Sequence, residues 1–362
     1  MWGDMGYQGK DLKDHIKREY DIEIEIVKRP PSRFWVHKDT PPELLPKVEP
    51  GFKDLGGFIK SLQETDEVAL EATGNSCFFY DELSPYVKRV VMIAPLQFEV
   101  IRRSVNKTDK HDARAIAFFL SKDMLPEAKC KSKQCQQLAS ILKTRDKLVK
   151  SRVSLINKMH GLFNYHGIKI KKEVLTTKSG FERSLGKHDW SYLERVEIEV
   201  ISSNLEVIRE SLKKLEKEII AFAKQLPGFN NLISIKGIGA ISAAIFVATI
   251  GDINDFSNPE KLTAYFGVVP RVSQSNQQCT IGRITKRGSK IGRTSLVQCT
   301  WIAIRYSPYL KSFYEHVKKK RGSAKAIIAT ARKFLTTIFY TLKNNWVFKD
   351  FTKFEFFTGQ QS

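Results

Sequence analysis

The stretch Ile198–Phe222, IEVISSNLEVIRESLKKLEKEIIAF, decides the reading of the chain. Its apolar residues Ile198, Ile201, Leu205, Ile208, Leu212, Leu215, Ile219 and Phe222 step by three and four without a break, with Glu and Lys between them. That is a heptad seam, and it predicts a long helix with one face to bury. Upstream, Leu138, Ile141/Leu142, Arg145, Leu148/Val149, Val153, Ile156, Met159 and Phe163 follow the same three-four spacing. A Gly- and Lys-rich break separates the two runs. Residues 129–225 therefore read as a helical coiled-coil hairpin. Packing within one chain and pairing with a second copy satisfy the seam equally well.

Beyond the seam, Pro227 and Gly228 break the helix and a different all-α region begins, over residues 226–350. A short helix leads into Gly237-Ile238-Gly239 and then into an apolar helix ending near Ile250. Asn258 is placed to cap the next helix, with Pro259 in its first turn. The last long helix spans Ala324–Leu342. Gly237 and Gly239 are suited to the turn of a helix-hairpin-helix. Glycine lets the backbone approach a ligand, and the following helix aims its free amides at it, which suits a phosphate. The same three residues serve equally as a tight turn between packed helices.

Charge points the same way. Lys and Arg number 60 against 39 Asp and Glu, a net charge of +21. From Lys261 to Lys349 there are eighteen Lys and Arg and one acid, Glu315. A stretch of one sign this long is suited to neutralising the phosphates of a nucleic acid. Arg271, Arg283, Lys286, Arg287, Lys290 and Arg293 are its candidate DNA contacts, with Gly237 and Gly239.

On the N-terminal side the pattern changes to α/β. Phe52–Leu62 has helical spacing, Glu67–Gly74 and Arg89–Pro95 read as short buried strands, and Gln97–Val105 and Asp109–Leu120 as helices. Residues 51–128 thus form a sheet domain. Residues 1–50 are a fragment too small to fold alone, with a strand at Ile22, Ile24 and Ile26. Six of the chain's thirteen prolines fall between Pro30 and Pro50, which makes that segment an extended linker. Residues 351–362 are a tail. The fold class is α/β plus all-α.

Several classes are excluded. The longest apolar run, Ile238–Ile250, is too short for the ~20 residues of a membrane span, and Met1–Lys10 has no signal-peptide pattern. Five cysteines without a CxxC pair suggest reduced thiols and a cytoplasmic protein.

Three groups could carry chemistry. Asp109 and Asp112 lie three apart at a helix start, which puts both carboxylates on one face. Such a pair can hold a divalent ion, and it equally suits the positive end of a helix dipole. Glu71 ends a strand read as buried, where an unpaired carboxylate is costly. A strand-end Glu with a helical Asp pair is a layout for metal-assisted phosphoryl transfer. Ser273 and Ser275 sit in a polar stretch, read as a loop, between Arg271 and Arg283. A hydroxyl among arginines is suited to attack a phosphodiester, although most loop serines only shape the turn.

The ordered set EATG, KTDKHDARAIAFFL, the heptad helices, KGIGAISAAIFVATIGDINDFSNPEKLTAYFGVVPRVSQSN and GRITKRGSK resembles the insertion-sequence 110 type transposases, also called DEDD transposases or Piv/MooV recombinases. The resemblance covers roughly Gly51 to the end. It implies a truncated RNase H-like (RuvC-like) domain, a coiled coil and a helix-hairpin-helix-like C-terminal domain, in a recombinase that acts on DNA with Mg²⁺ and an element-encoded bridge RNA as guide. Carried over by motif, Glu71 matches the EATG acid, Asp109 and Asp112 the two acids of TDxxDA, and Ser275 the nucleophile. Most members follow that serine with Gly-Gly. Here Asn276-Gln277 stand instead, which keeps Ser273 as the alternative.

The family's first acid, in a strand like GIDVSK, has no counterpart, and Asp54 and Asp66 are poor substitutes. Residues 1–50 instead resemble part of an insertion-sequence 5 type DDE transposase, in which Asp4 would match one acid. Two readings follow. One is a DNA transposase, likened to a serine-using recombinase, with no membrane association and a homo-oligomer formed through the coiled coil. The other is a non-catalytic remnant that keeps only nucleic-acid binding, which the missing acid favours. A junction nuclease would need the whole acidic set and no serine.

Overall fold

The computed structural model describes residues 2–3, 18, 25–26, 55–94, 98, 109–128, 130–186, 188–275 and 278–348. For residues 2–3, 25–26, 109–111, 273–275, 278–279 and 281 it describes the backbone alone. The linker between Pro30 and Pro50, the helix at Gln97–Val105, the tail 351–362, Asp4 and Asp54 lie outside the described residues. The protein is mostly helical with few strands, and it divides into two compact units, Met1–Cys130 and Lys131–Ser362.

In the first unit, β1 (Trp2–Gly3) and β2 (Glu25–Ile26) form a two-residue parallel pair. Then come α1 (Leu55–Ser61), β3 (Glu67–Glu71), α2 (Ser76–Leu83), β4 (Arg89–Ile93) and α3 (Asp109–Ser121). β3 and β4 pair in parallel, from Glu67 opposite Arg89 to Glu71 opposite Ile93. Parallel strands need a crossover, and α2 supplies it. Side chains alternate across the two faces, as a pleated strand requires. Val68, Leu70 and Val90 pack with Leu55, Phe58 and Leu83. Ala69, Val91 and Ile93 pack with Ile116, Phe119 and Leu120 of α3. The strand predicted to reach Gly74 stops at Glu71, because the chain turns there. Ser76 Oγ donates to the Thr73 carbonyl at 3.0 Å, and the Phe78 N–H donates to that of Asn75 at 3.0 Å. After α3 the chain returns along β4, with the Ala128 N–H donating to the Met92 carbonyl at 2.6 Å.

The second unit opens with α4 (Lys133–Tyr165). Two short helices, α5 (Lys172–Thr176) and α6 (Lys178–Leu185), interrupt the predicted break, and α7 (Tyr192–Ala223) follows. Ser132 caps α4, and Ser191 with Glu194 forms a capping box on α7. α4 and α7 run antiparallel. Ile156, Met159 and Phe163 near the end of α4 cluster with Ile198, Ile201 and Leu205 near the start of α7. At the other end Leu138 and Leu142 join Ile219 and Ala223. Ion pairs cross in the same register, Arg145 with Glu216 at 2.6 Å and Lys158 with Glu197 at 2.8 Å, and His166 Nε2 is hydrogen-bonded to the Glu194 carboxyl at 2.6 Å. The His166 bond, more than any other contact, holds the Glu194 carboxyl down at about 2. The heptad seam is thus spent inside the chain.

The remaining helices are α8 (Phe229–Ser234), α9 (Ala240–Ile250), α10 (Pro259–Tyr265), α11 (Lys290–Tyr306), α12 (Pro308–Arg321) and α13 (Ser323–Lys343). Asn258 caps α10 by accepting from the Lys261 N–H at 2.9 Å, as its sequence predicts. Between α10 and α11 lies an antiparallel ribbon, β5 (Pro270–Ser275) and β6 (Gln278–Ile284). One core serves all of these helices and the base of the hairpin. α9 lies at its centre, with every residue from Ala243 to Ile250 buried. Lys131 closes the C-terminal end of α9, where its ammonium donates to the carbonyls of Ala248 at 2.7 Å and Thr249 at 2.5 Å. Burial pulls that ammonium down to about 8.

Two outcomes test this core. Leu212→Asp should cost several kcal/mol, on the scale of an unpaired buried charge. Val207→Asp, on the exposed face of the same helix, should stay within about 0.5 kcal/mol. Urea unfolding followed by circular dichroism reads both. For Lys131, the unfolded chain binds the proton more tightly than the folded one between pH about 8 and the ordinary lysine pKa of about 10.4. Stability from this group therefore rises with pH through that window. Unfolding curves of Lys131→Met should lose that rise, while the wild type keeps it.

Candidate active site and nucleic-acid interface

The site residues of the first unit sit around the two-stranded sheet. Glu71 is the last residue of β3 and is exposed, not buried as its strand context suggested. The strand ends there and the carboxylate reaches water, so no desolvation cost calls for a cation. Asp109 and Asp112 open α3, as expected. Asp112 is half-buried and stands one turn before Ile116, whose side chain packs on the sheet. The side chain of Asp109 lies outside the described residues. Among the described residues, no three Asp, Glu, His or Cys side chains come together as a metal site.

The serines of the second unit lie on a hairpin, not in the loop that their polar surroundings suggested. Ser273 pairs with Thr280 and Ser275 with Gln278, so Ser275 is the last paired residue of β5; Asn276 and Gln277 lie outside the described residues. By alternation Ser273 and Ser275 share one face of the ribbon. At its base, Pro270 pairs with Ile284 and Val272 with Ile281, so Gly282 and Arg283 together oppose Arg271. This is a β-bulge, which sharpens the local twist and re-aims side chains. Here it sets two arginines across from each other, and the Arg271 Cβ lies 3.6 Å from where a Cβ on Gly282 would be.

The turn after β6, Lys286-Arg287-Gly288-Ser289, is fixed by tight backbone packing. Gly267 and Gly288 both have positive φ, +68° and +78°. A Cβ on Gly267 would strike the backbone of Arg287, and one on Gly288 would strike the Tyr265 carbonyl. Lys286 itself takes φ +55°, uncommon for a residue with a side chain. Ser289 caps α11 by accepting from the Gly292 N–H at 3.1 Å. Arg293 belongs to this scaffold. Its guanidinium donates to the Phe266 carbonyl at 3.2 Å and the Arg287 carbonyl at 2.9 Å, and burial lowers its pKa. Arg271, Arg283, Lys286, Arg287 and Lys290 are exposed, and among the described residues none has an ion-pair partner.

Gly237 and Gly239 divide in role. Gly237 has φ +109°, and a Cβ there would lie 2.9 Å from the Ala303 backbone nitrogen. Its freedom is used to bring the turn onto α11, the packing role and not the ligand-approach role. Gly239 precedes α9 with open space around it. Sequence reasoning missed the bulge and the Gly267–Gly288 lock. Paired glycines flanking a basic ribbon were the available signal.

Two family models match successive parts of the chain. A family model described as Transposase IS116/IS110/IS902 family matches residues 230–315, and a DEDD transposase model of the IS110 type matches residues 41–166. The chain is 28% identical over 276 residues to the transposase for insertion sequence element IS1111A of Coxiella burnetii, covering 74% of each chain. It is 28% identical over 233 residues to a probable family 20 transposase of Pseudomonas aeruginosa, 64% of this chain and 69% of that one. The pilin gene-inverting protein of Moraxella bovis is 24% identical over 315 residues, 82% of this chain and 86% of that protein.

The glycine lock has a direct test. Gly288→Ala should destabilise the second unit by more than about 1 kcal/mol, because it combines strain with a backbone clash. Gly161→Ala, in open space within α4, should instead stabilise by about 0.4–1 kcal/mol. Thermal unfolding of the two variants, measured side by side, checks the contrast.

Proposed function

The chain belongs to the IS116/IS110/IS902 family of transposases, and on that premise we propose that it is a DNA transposase of an insertion sequence whose nucleophile is Ser275. The observation that carries this reading is the ribbon end. Ser275 closes a β-ladder whose base sets Arg271 opposite Arg283, beside the exposed cations of the turn. In the proposed reaction the serine Oγ forms a bond to a DNA phosphorus. The phosphodiester bond breaks, the serine proton passes to solvent, and the departing sugar oxygen takes up a proton. Arg271 and Arg283, at the other end of the ribbon, neutralise a flanking phosphate of the same DNA. Lys286, Arg287 and Lys290 hold neighbouring phosphates, and Gly239 offers the amides at the start of α9 to another.

The first unit is read as a truncated RNase H-like domain. Three carboxylates are the hard oxygen donors that Mg²⁺ takes. Glu71, Asp109 and Asp112 would hold that ion, which when bound would supply charge neutralisation for phosphoryl chemistry. Without the family's first acid this site is incomplete, so cleavage is slow. The coiled-coil hairpin, the helix-hairpin-helix-like turn at Gly237–Gly239, a guide RNA and a cytoplasmic setting belong to the same reading. The heptad seam is consumed within the chain, so a homo-oligomer would use another surface. Among the described residues no helix is long and apolar enough to cross a membrane.

The test is a strand-cleavage assay with Mg²⁺ and element-end DNA, scored for a covalent protein–DNA adduct under denaturing conditions. A slow adduct is expected, lost in Ser275→Ala and kept in Ser273→Ala. An adduct undiminished in Ser275→Ala would move the nucleophile elsewhere. Binding without any adduct would establish the non-catalytic reading instead. An adduct abolished by Asp4→Asn would show that the fused N-terminal segment supplies the missing acid.

A further inference from the structure

Two cysteines of the first unit take no part in the proposed reaction, although they are 53 positions apart and their sulfurs meet. Cys77 Sγ lies 2.9 Å from Cys130 Sγ, and both residues are half-buried. Cys77 is in the first turn of α2, six residues after Glu71. Cys130 stands two residues beyond Ala128, whose N–H is bonded to Met92 of β4. Both positions are therefore anchored to the sheet, α2 as the crossover between its strands and the segment before Cys130 as its hydrogen-bonded edge. A disulfide bond is about 2.05 Å long, so a side-chain adjustment of under about 1 Å closes it.

We propose that Cys77 and Cys130 are a reversible oxidation site, converted from dithiol to disulfide by a peroxide. One thiolate attacks a peroxide oxygen and breaks the O–O bond, which gives a sulfenic acid and, with a proton, water. The second thiolate then attacks that sulfur, forms the S–S bond and expels hydroxide, which is protonated to water. The two sulfurs lose two electrons and two protons in all, and the peroxide is reduced to two waters. A small thiol reductant reverses the change.

The bond would close a loop that contains β4 and all of α3, with Asp109 and Asp112. Among the described residues its clusters of buried apolar residues, five around Leu55 and three around Val91, are small beside the core of the second unit. A unit with a small core gains most from a covalent staple. Among the described side chains the other two cysteines do not offer this chemistry: Cys135 and Cys299 are buried in the second unit, and desolvation raises the Cys299 thiol.

The full-length chain, treated with hydrogen peroxide and then with an alkylating agent, tests the proposal by intact mass and peptide mapping. The expected result is a loss of two hydrogens, with one cross-linked peptide joining Cys77 to Cys130, reversed by dithiothreitol and absent in Cys77→Ser and Cys130→Ser. Oxidised protein should also resist proteolysis within residues 77–130 at least about thirtyfold longer than reduced protein, the low end of what a disulfide typically contributes. A wild-type protein that gives only sulfinic acid at these positions, a cross-link to any other cysteine, or a dimer bridged between chains would overturn it. The wild-type measurement stands by itself, so a variant that fails to fold does not remove the test.

Discussion

The burial of α9 on every side is the constraint on which the second unit depends. A helix with no polar face cannot lie on a surface, so neighbours must cover it all round. Burying each of its larger side chains contributes about 1.5–3 kcal/mol before entropy is charged against it. The cover comes from the base of α4 and α7 on one side and from α8 and α11 on others. One core therefore joins a hairpin of long helices to a cluster of shorter ones, though their compositions differ. Close approach explains two glycines around it. Gly237 lets the preceding turn meet the backbone of α11, and a Cβ on Gly292 would press on Thr249 at the end of α9.

That packing settles where the charges go. α11 is seated on α9, and its first turn carries the Lys286–Ser289 bend with it. Gly267 and Gly288 then bind the bend to the end of α10, while Arg293 ties both through two carbonyls. What remains outside is a ribbon and a turn bearing five exposed cations without ion-pair partners among the described residues. Some other cations are spent internally. Arg145 and Lys158 are paired across the hairpin, and Lys333 donates to the Tyr309 hydroxyl at 2.7 Å and lies over the Phe313 ring. These five exposed cations lie close together in the chain, on the ribbon, the turn and the start of α11.

Much of this was legible in the sequence because it rests on periodicity. The heptad of α7 named the face that is buried, and alternation in EVALE and RVVMI named two strands. Capping residues such as Asn258 marked helix starts within a residue. What was missed depends on contacts between distant residues. The segment PRVSQS carries almost no apolar alternation, so its pairing with QCTIGRI was hidden. Nothing local told that Glu71 would face water, since exposure at a strand end depends on what the chain does next. The role of Gly237 needed Ala303, and the Cys77–Cys130 contact needed two positions that no spacing rule connects. The helices α5 and α6 were lost in a Lys-rich stretch because their apolar residues, Leu175 and Phe181, are too few to show a period.

The central claim is that the five exposed cations of the ribbon and turn hold nucleic-acid phosphates. The most direct measurement is the dependence of DNA affinity on salt for the full chain and for a variant with Arg271, Arg283, Lys286, Arg287 and Lys290 replaced by Gln. The account predicts a steep log–log slope for the wild type. In the variant that slope should be shallower by about 0.9 for each duplex phosphate contact removed, with the helix content unchanged. An affinity indifferent to salt, or a folded variant with the wild-type slope, would contradict it.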